Sequence, residues 1–259
     1  MSRPLLLQVG HLARRSVVRT LRQPVNVVPS FLFPLILLAV NVGGLGAAER
    51  LPGFPTDSYL DFALAFTFMQ GALFATTNAG TDLARDIQTG FLNRLALTPM
   101  RSGALLLGQL AGIVALALIQ ATLYLTVGLV AGVRPESGVA GLFVVVFLAV
   151  LVAIAFGAIG AFLALRTGTG EAVQAMFPLL FVFLFLSSMN LPRNLIEIDW
   201  FRIVATINPV SYLIEGIRSL IITGWDGQAL ALGFGLALAI GVVALAAASF
   251  ALQGRLARS

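Results

Sequence analysis

Apolar and polar positions along this chain fall into long blocks. Six apolar runs, over residues 27–46, 62–81, 104–131, 139–165, 172–189 and 228–251, are separated by polar breaks, the longest of them 190–227. Each run is close to or above the roughly 20 residues a helix needs to cross hydrocarbon. The pattern predicts an all-α integral membrane protein of six transmembrane helices, folded as a single domain over 1–259. Pro24 and Pro29 are expected to break the chain before the first span, and Pro34 to kink it. The second run carries Thr67, Gln70, Thr76, Thr77 and Asn78, so one of its faces should meet another helix or a cavity rather than lipid. The pairs Gly108-x-x-x-Gly112 and Gly128-x-x-x-Gly132 in the third run are spaced for close helix approach.

Three segments outside the runs have their own periodicity. Residues 4–22 wind into an amphipathic helix, with Leu5, Leu6, Val9, Leu12, Ala13 and Val17 on one face. Gln8, His11, Arg14, Arg15, Arg19 and Arg22 share the other face, which suits a helix lying on a membrane surface. Residues 83–99 form a polar island between the second and third runs, with Leu83, Ile87, Phe91 and Leu95 to one side of a helix and Arg85, Asp86, Thr89 and Asn93 to the other. Thr98-Pro99 stops that helix, and Ser102 can cap the next one. The island reads either as an interfacial helix or as a docking element for a soluble partner. Residues 190–227 are too charged for a span and too apolar for a plain loop. Asn208-Pro209 starts a helix there, with Asn208 as cap and Pro209 in the first turn, and Gly224 ends it. Val210, Leu213, Ile214, Ile217 and Ile221 give it an apolar face. It is too short to cross, so it is expected to be re-entrant or interfacial, with Glu215 and Arg218 paired three apart.

Composition narrows the chemistry. The chain is 59% hydrophobic and only 10% charged, against about 25% charged in soluble domains. It has no cysteine, a single histidine (His11), and arginine as its only strong base. A phosphate-binding G-x-x-x-x-G-K-[ST] loop and a Schiff-base lysine are therefore excluded, and neither a nucleophile–base pair nor a metal cluster is assembled. No catalytic residue, metal or bound cofactor is expected in this chain. The acids lie in loops or at the ends of runs, without the mid-membrane carboxylates of an ion-coupled secondary transporter. The basic balance needs no nucleic acid. Five arginines before residue 23 and two in the tail put both ends on the cytoplasmic side of a cell membrane, against anionic lipid. The island at 83–99 is then cytoplasmic and 190–227 external. Phe177, Phe181 and Phe185 recur every four residues, as helix packing or as the wall of an apolar path.

The island contains Asp86-Ile-Gln-Thr-Gly90-Phe91-Leu-Asn-Arg94-Leu95-Ala-Leu-Thr98-Pro99, and the later segment contains Asn208, Pro209, Tyr212, Glu215 and Arg218. Together these resemble the two signatures of the type-2 membrane permeases of ATP-binding-cassette exporters, which include drug-resistance permeases and O-antigen exporters. The resemblance covers essentially the whole chain. It implies that 83–99 is a coupling helix seated on a separate ATPase, with Arg85, Asp86, Thr89, Gly90, Phe91, Arg94, Leu95, Thr98 and Pro99 as contact residues. It implies two ATPase copies that bind ATP and Mg, a second permease copy (identical or a paralogue), and an outer hairpin at 190–227. The path would lie between the copies, with Gln70, Phe74, Phe177, Phe181 and Phe185 along it. An amphipathic drug-like or lipid-like cargo is expected, with a polysaccharide or lipid-linked glycan as the alternative.

Overall fold

The computed structural model describes residues 3–92 and 102–256, and no strand occurs among them. The helices are α1 (Arg3–Leu21), α2 (Pro24–Leu45), α3 (Tyr59–Gln88), α4 (Ser102–Val130), α5 (Gly138–Thr167), α6 (Gly170–Ala175), α7 (Phe177–Phe185), α8 (Asp199–Ile207), α9 (Pro209–Ile222) and α10 (Gly227–Leu256). Among the described residues five, namely α2, α3, α4, α5 and α10, are long and apolar enough to cross a membrane.

The central helix is α3. It packs against α2, α4, α5, α6, α7 and α9, while α10 lies against α5 and α9, and α1 against α4. Most of α3 is buried, whereas α2 and α10 are largely exposed. Small residues set the closest approaches. A Cβ on Gly160 of α5 would lie 1.9 Å from the Thr76 carbonyl oxygen of α3, so only glycine lets these two backbones meet. The Gly108/Gly112 pair does the same for α1, since Cβ atoms there would fall 2.4 Å from Leu12 Cβ and Ser16 Oγ.

Several boundaries differ from those the pattern predicts. No break occurs at Pro29: Pro24 sits in the first turn of α2, and Pro29 and Pro34 lie inside it. Pro34 has no N–H to offer the carbonyl four residues back, that of Ser30. Tyr124 Oη donates to that carbonyl at 2.7 Å and Gln120 Nε2 at 3.1 Å, both from α4. A second helix therefore satisfies the acceptor that proline orphans. The span expected over 172–189 is two short helices separated at Met176. Pro178, in the first turn of α7, cannot continue α6, and α7 ends at Phe185. The separate helix expected to start at Leu83 does not start there. α3 runs through that point to Gln88 and turns at Thr89–Gly90, where Gly90 takes a positive φ of 69°. Asn93, Arg94, Leu95, Thr98, Pro99 and Arg101 lie outside the described residues, as does Arg258. The apolar face expected of α9 is packed inside the protein: Val210, Leu213, Ile214, Ile217, Leu220 and Ile221 are all buried.

Candidate functional site

Three groups of side chains lie along α3. At its C-terminal end, Asp82 and Asp86 stand one turn apart and face Arg15 and Arg19 of α1 and Gln23 just beyond its end, at the same four-residue spacing. Arg15 donates to both oxygens of Asp86, at 3.1 Å from Nη1 and 2.8 Å from Nη2, and Arg19 Nη1 donates to it at 2.6 Å. Arg19 also reaches the Asp82 carboxylate at 3.3 Å and the Asp82 carbonyl at 3.1 Å, while Gln23 Nε2 donates to Oδ1 of Asp82 at 3.1 Å. The Arg15 guanidinium lies 3.8 Å over the centre of the Phe91 ring. Its hydrogen bonds to Asp86 hold it above the ordinary arginine pKa.

This arrangement corrects two expectations. Asp86, expected to reach across to a partner, is 2% exposed and committed to two arginines of its own chain. Arg15 and Arg19, expected to face lipid headgroups, turn onto α3, while His11, Arg14 and Arg22 stay exposed. The signal was the match of two four-residue ladders, Arg15/Arg19/Gln23 and Asp82/Asp86, in segments 60 or so residues apart. Arg85 and Thr89 are exposed, Gly90 and Phe91 partly so.

At mid-height α3 meets aromatic rings. Phe74 packs on Phe177 at 5.0 Å between centroids, Phe177 on Phe181 at 4.8 Å, and Phe181 on Phe185 at 6.1 Å. Four of the five residues assigned to a path thus form one ladder. Phe33 of α2 closes it, edge-on to Phe74 at 6.0 Å and to Phe181 at 5.7 Å. The sequence reading missed Phe33, whose only signal was its place beside Pro34. Gln70, one turn before Phe74, is fully buried. Among the described residues neither its amide N–H groups nor its carbonyl has a hydrogen-bond partner, and the Thr67 hydroxyl has none either.

At the N-terminal end of α3, the residues of the second signature come together. The Asn208 side-chain oxygen accepts from Val210 N at 2.9 Å, and its Nδ2 donates to the Phe183 and Leu186 carbonyls at the end of α7. One residue thereby caps the start of α9 and the end of α7. Tyr212 donates to the Thr206 carbonyl at 2.7 Å. Arg218 is buried over the Phe62 ring, 3.5 Å from its centre, and donates to the carbonyls of Phe62, Ser188 and Met189 at 3.0–3.1 Å. Glu215 does not pair with Arg218 as the three-residue spacing suggested. It accepts from Arg193 and from Ser188 Oγ, and Arg193 also lies over the Tyr212 ring. Burial sends Arg218 to the interior carbonyls and leaves Glu215 facing the 193–195 turn.

The family model for the ABC-2 type transporter matches residues 7–222. Relatives bearing the name transport permease ycf38 align over most of the chain. That of Porphyra purpurea is 29% identical over 223 residues, covering 83% of this chain and 74% of the relative. That of Cyanophora paradoxa is 30% identical over 219 residues, covering 81% and 72%.

Proposed function

Because the chain belongs to the ABC-2 type transporter family, we propose that it is the permease subunit of an exporter driven by a separate ATPase. Permeases of this family normally work with an ATPase subunit. In this reading two ATPase copies bind the ATP and Mg, and two permease copies enclose the path. Both termini are cytoplasmic, in the cell membrane. The ATPase contact lies at the turn that ends α3 and in the residues that follow, with Arg85, Thr89, Gly90, Phe91 and Arg94 as its core. Asp86 acts from behind this surface, fixing its position through Arg15 and Arg19.

The continuity of α3 carries the reading. A single unbroken helix connects the aromatic ladder to the turn at Gly90. Phe74 and Gly90 are about 24 Å apart at the helical rise per residue, so a displacement of the turn carries Phe74 with it. The Asp86 node makes α1 move with the same rod. The ladder has no ionisable side chain, and its rings offer apolar contact to an amphipathic drug-like or lipid-like cargo. Buried Gln70 and Thr67 supply polar groups beside it, and such groups are costly unless something bonds them in the working cycle.

Co-purification tests the proposal. Phe91→Ala combined with Arg94→Glu is expected to abolish recovery of the partner ATPase in detergent, with an unchanged size-exclusion profile of the permease. Full ATPase recovery by a well-folded double variant would refute the assigned contact.

A further inference from the structure

The seam between α1 and α3 continues past the ion pairs. Asn78 lies one turn before Asp82, so Asn78, Asp82 and Asp86 follow one another along α3 at four-residue spacing. Asp82 and Asp86 are met directly by Arg15, Arg19 and Gln23. Asn78 is not: its Nδ2 is buried and, among the described residues, has no hydrogen-bond partner. Two adjoining cavities of about 10 Å³ each lie beside it, and Thr20, Asn78 and Asp82 line both. Each has room for one water molecule.

Glycine makes that room. On α4, a Cβ at Gly112 would fall 2.4 Å from Ser16 Oγ and 3.0 Å from Thr20 Oγ1, so these two α1 hydroxyls project toward a residue with no side chain. Direct bonds across this level are long. Ser16 Oγ donates to the Gln109 carbonyl, and Gln109 Nε2 to the Ala79 carbonyl, both at 3.4 Å, against about 2.9 Å for a well-made bond. Three helices thus meet here around polar atoms without closing on one another.

The walls select the occupant. An amide N–H needs an acceptor, which a bare cation cannot supply. The Asp82 carboxylate, met at Oδ1 by Gln23 and Arg19, keeps lone pairs for a donor and repels an anion. A hydrocarbon chain would satisfy neither group. Water satisfies both: it accepts from Asn78 Nδ2 and donates to the Asp82 carboxylate and to Thr20 Oγ1. That makes three partners, within the two to four usual for an internal water.

We infer that an ordered water is bound between Asn78, Thr20 and Asp82 and forms a third rung of the α1–α3 seam, about 15 Å along α3 from its end at Gln88. A bridging water bonds nearly as well as a direct partner and can turn, so α1 can shift against α3 at this level without stranding the Asn78 amide. The inference rests on the packing of α1, α3 and α4 and is independent of how transport is driven.

Radiolytic hydroxyl-radical labelling of the full chain in lipid nanodiscs tests it, because a radical formed from a bound water marks the side chains beside that water. Ile113 and Leu116 line the larger polar cavity and are 6% and 2% exposed, while Leu148 is fully buried in the core away from both cavities. Ile113 and Leu116 are expected to be labelled well above Leu148. Asn78→Leu, which fills the space and removes the amide, is expected to lose that excess. Thr20→Val, an isosteric change on the opposite wall, is expected to reduce it. Labelling of Ile113 and Leu116 no greater than that of Leu148 in the wild-type chain would overturn the inference by showing a dry cavity, and that arm needs no variant to fold. Labelling left unchanged by both folded variants would overturn it by showing that these side chains do not hold the water.

Discussion

Arginines hold both ends of α3, but by different means. At the C-terminal end Arg15 and Arg19 of α1 meet two carboxylates, and every bond but one to the Asp82 carbonyl is between side chains. Asp86 is shared, so loss of one arginine leaves the other in place. At the N-terminal end Arg218 meets three backbone carbonyls and no carboxylate, the nearby Glu215 being taken by Arg193. Side-chain ion pairs at a partly exposed site can exchange partners at small cost, whereas a buried guanidinium spread over fixed carbonyls has no second arrangement. The difference suits the first node to a part that moves and the second to a staple that sets where α3, α9 and the segment after α7 meet.

The largest expected effect is at the staple. Arg218→Met fills a similar volume but strands the buried Ser188 and Met189 carbonyls, at a cost of about 3 kcal/mol. Its thermal unfolding midpoint in detergent, followed by size-exclusion fluorescence, is expected to fall furthest of these variants. Asp86→Asn comes next, at about 1–2 kcal/mol, because Arg15 can turn to solvent while Asp82 keeps Arg19. A fall for Asp86→Asn as large as that for Arg218→Met would break the contrast. Arg15→Gln is expected to cost the least, under about 1 kcal/mol, since Arg15 is 39% exposed and Arg19 still holds Asp86. Part of that small loss is its contact with Phe91. Its difference from wild type should shrink in high salt, which screens an exposed pair. A salt-independent loss would mean that packing on Phe91 dominates.

Much of the fold is legible one segment at a time. Long apolar runs give α2, α3, α4, α5 and α10, the amphipathic period gives α1, and Asn208-Pro209 fixes the start of α9. The misreadings share a cause. Leu83 and its neighbours looked like a new helix because polarity rises there, yet the backbone of α3 has no reason to stop before Gly90: no proline or glycine lies between Gly80 and that point. The Glu215–Arg218 pair was the local option, and burial against Phe62 overruled it. α8, which had no reading of its own, is only nine residues long, and its buried side shows only where Ala205 meets Ser211.

The sequence by itself determined the solvent and the class. Hydrophobic run length and the scarcity of charge place the chain in a membrane, and the absence of cysteine and lysine removes whole families of chemistry, because these depend only on which residues are present. The tertiary structure alone decided which partners meet: Asp86 with Arg15 and Arg19, Phe33 with Phe74 and Phe181, and the Ser30 carbonyl with Tyr124. Each joins residues tens of positions apart, and each side offers a charge, ring or carbonyl that many others in the chain could have met. Helix packing chose among them, through close approaches such as Thr76 on Gly160 and Ser16 on Gly112 that fix the register in which α1, α3, α4 and α5 lie together.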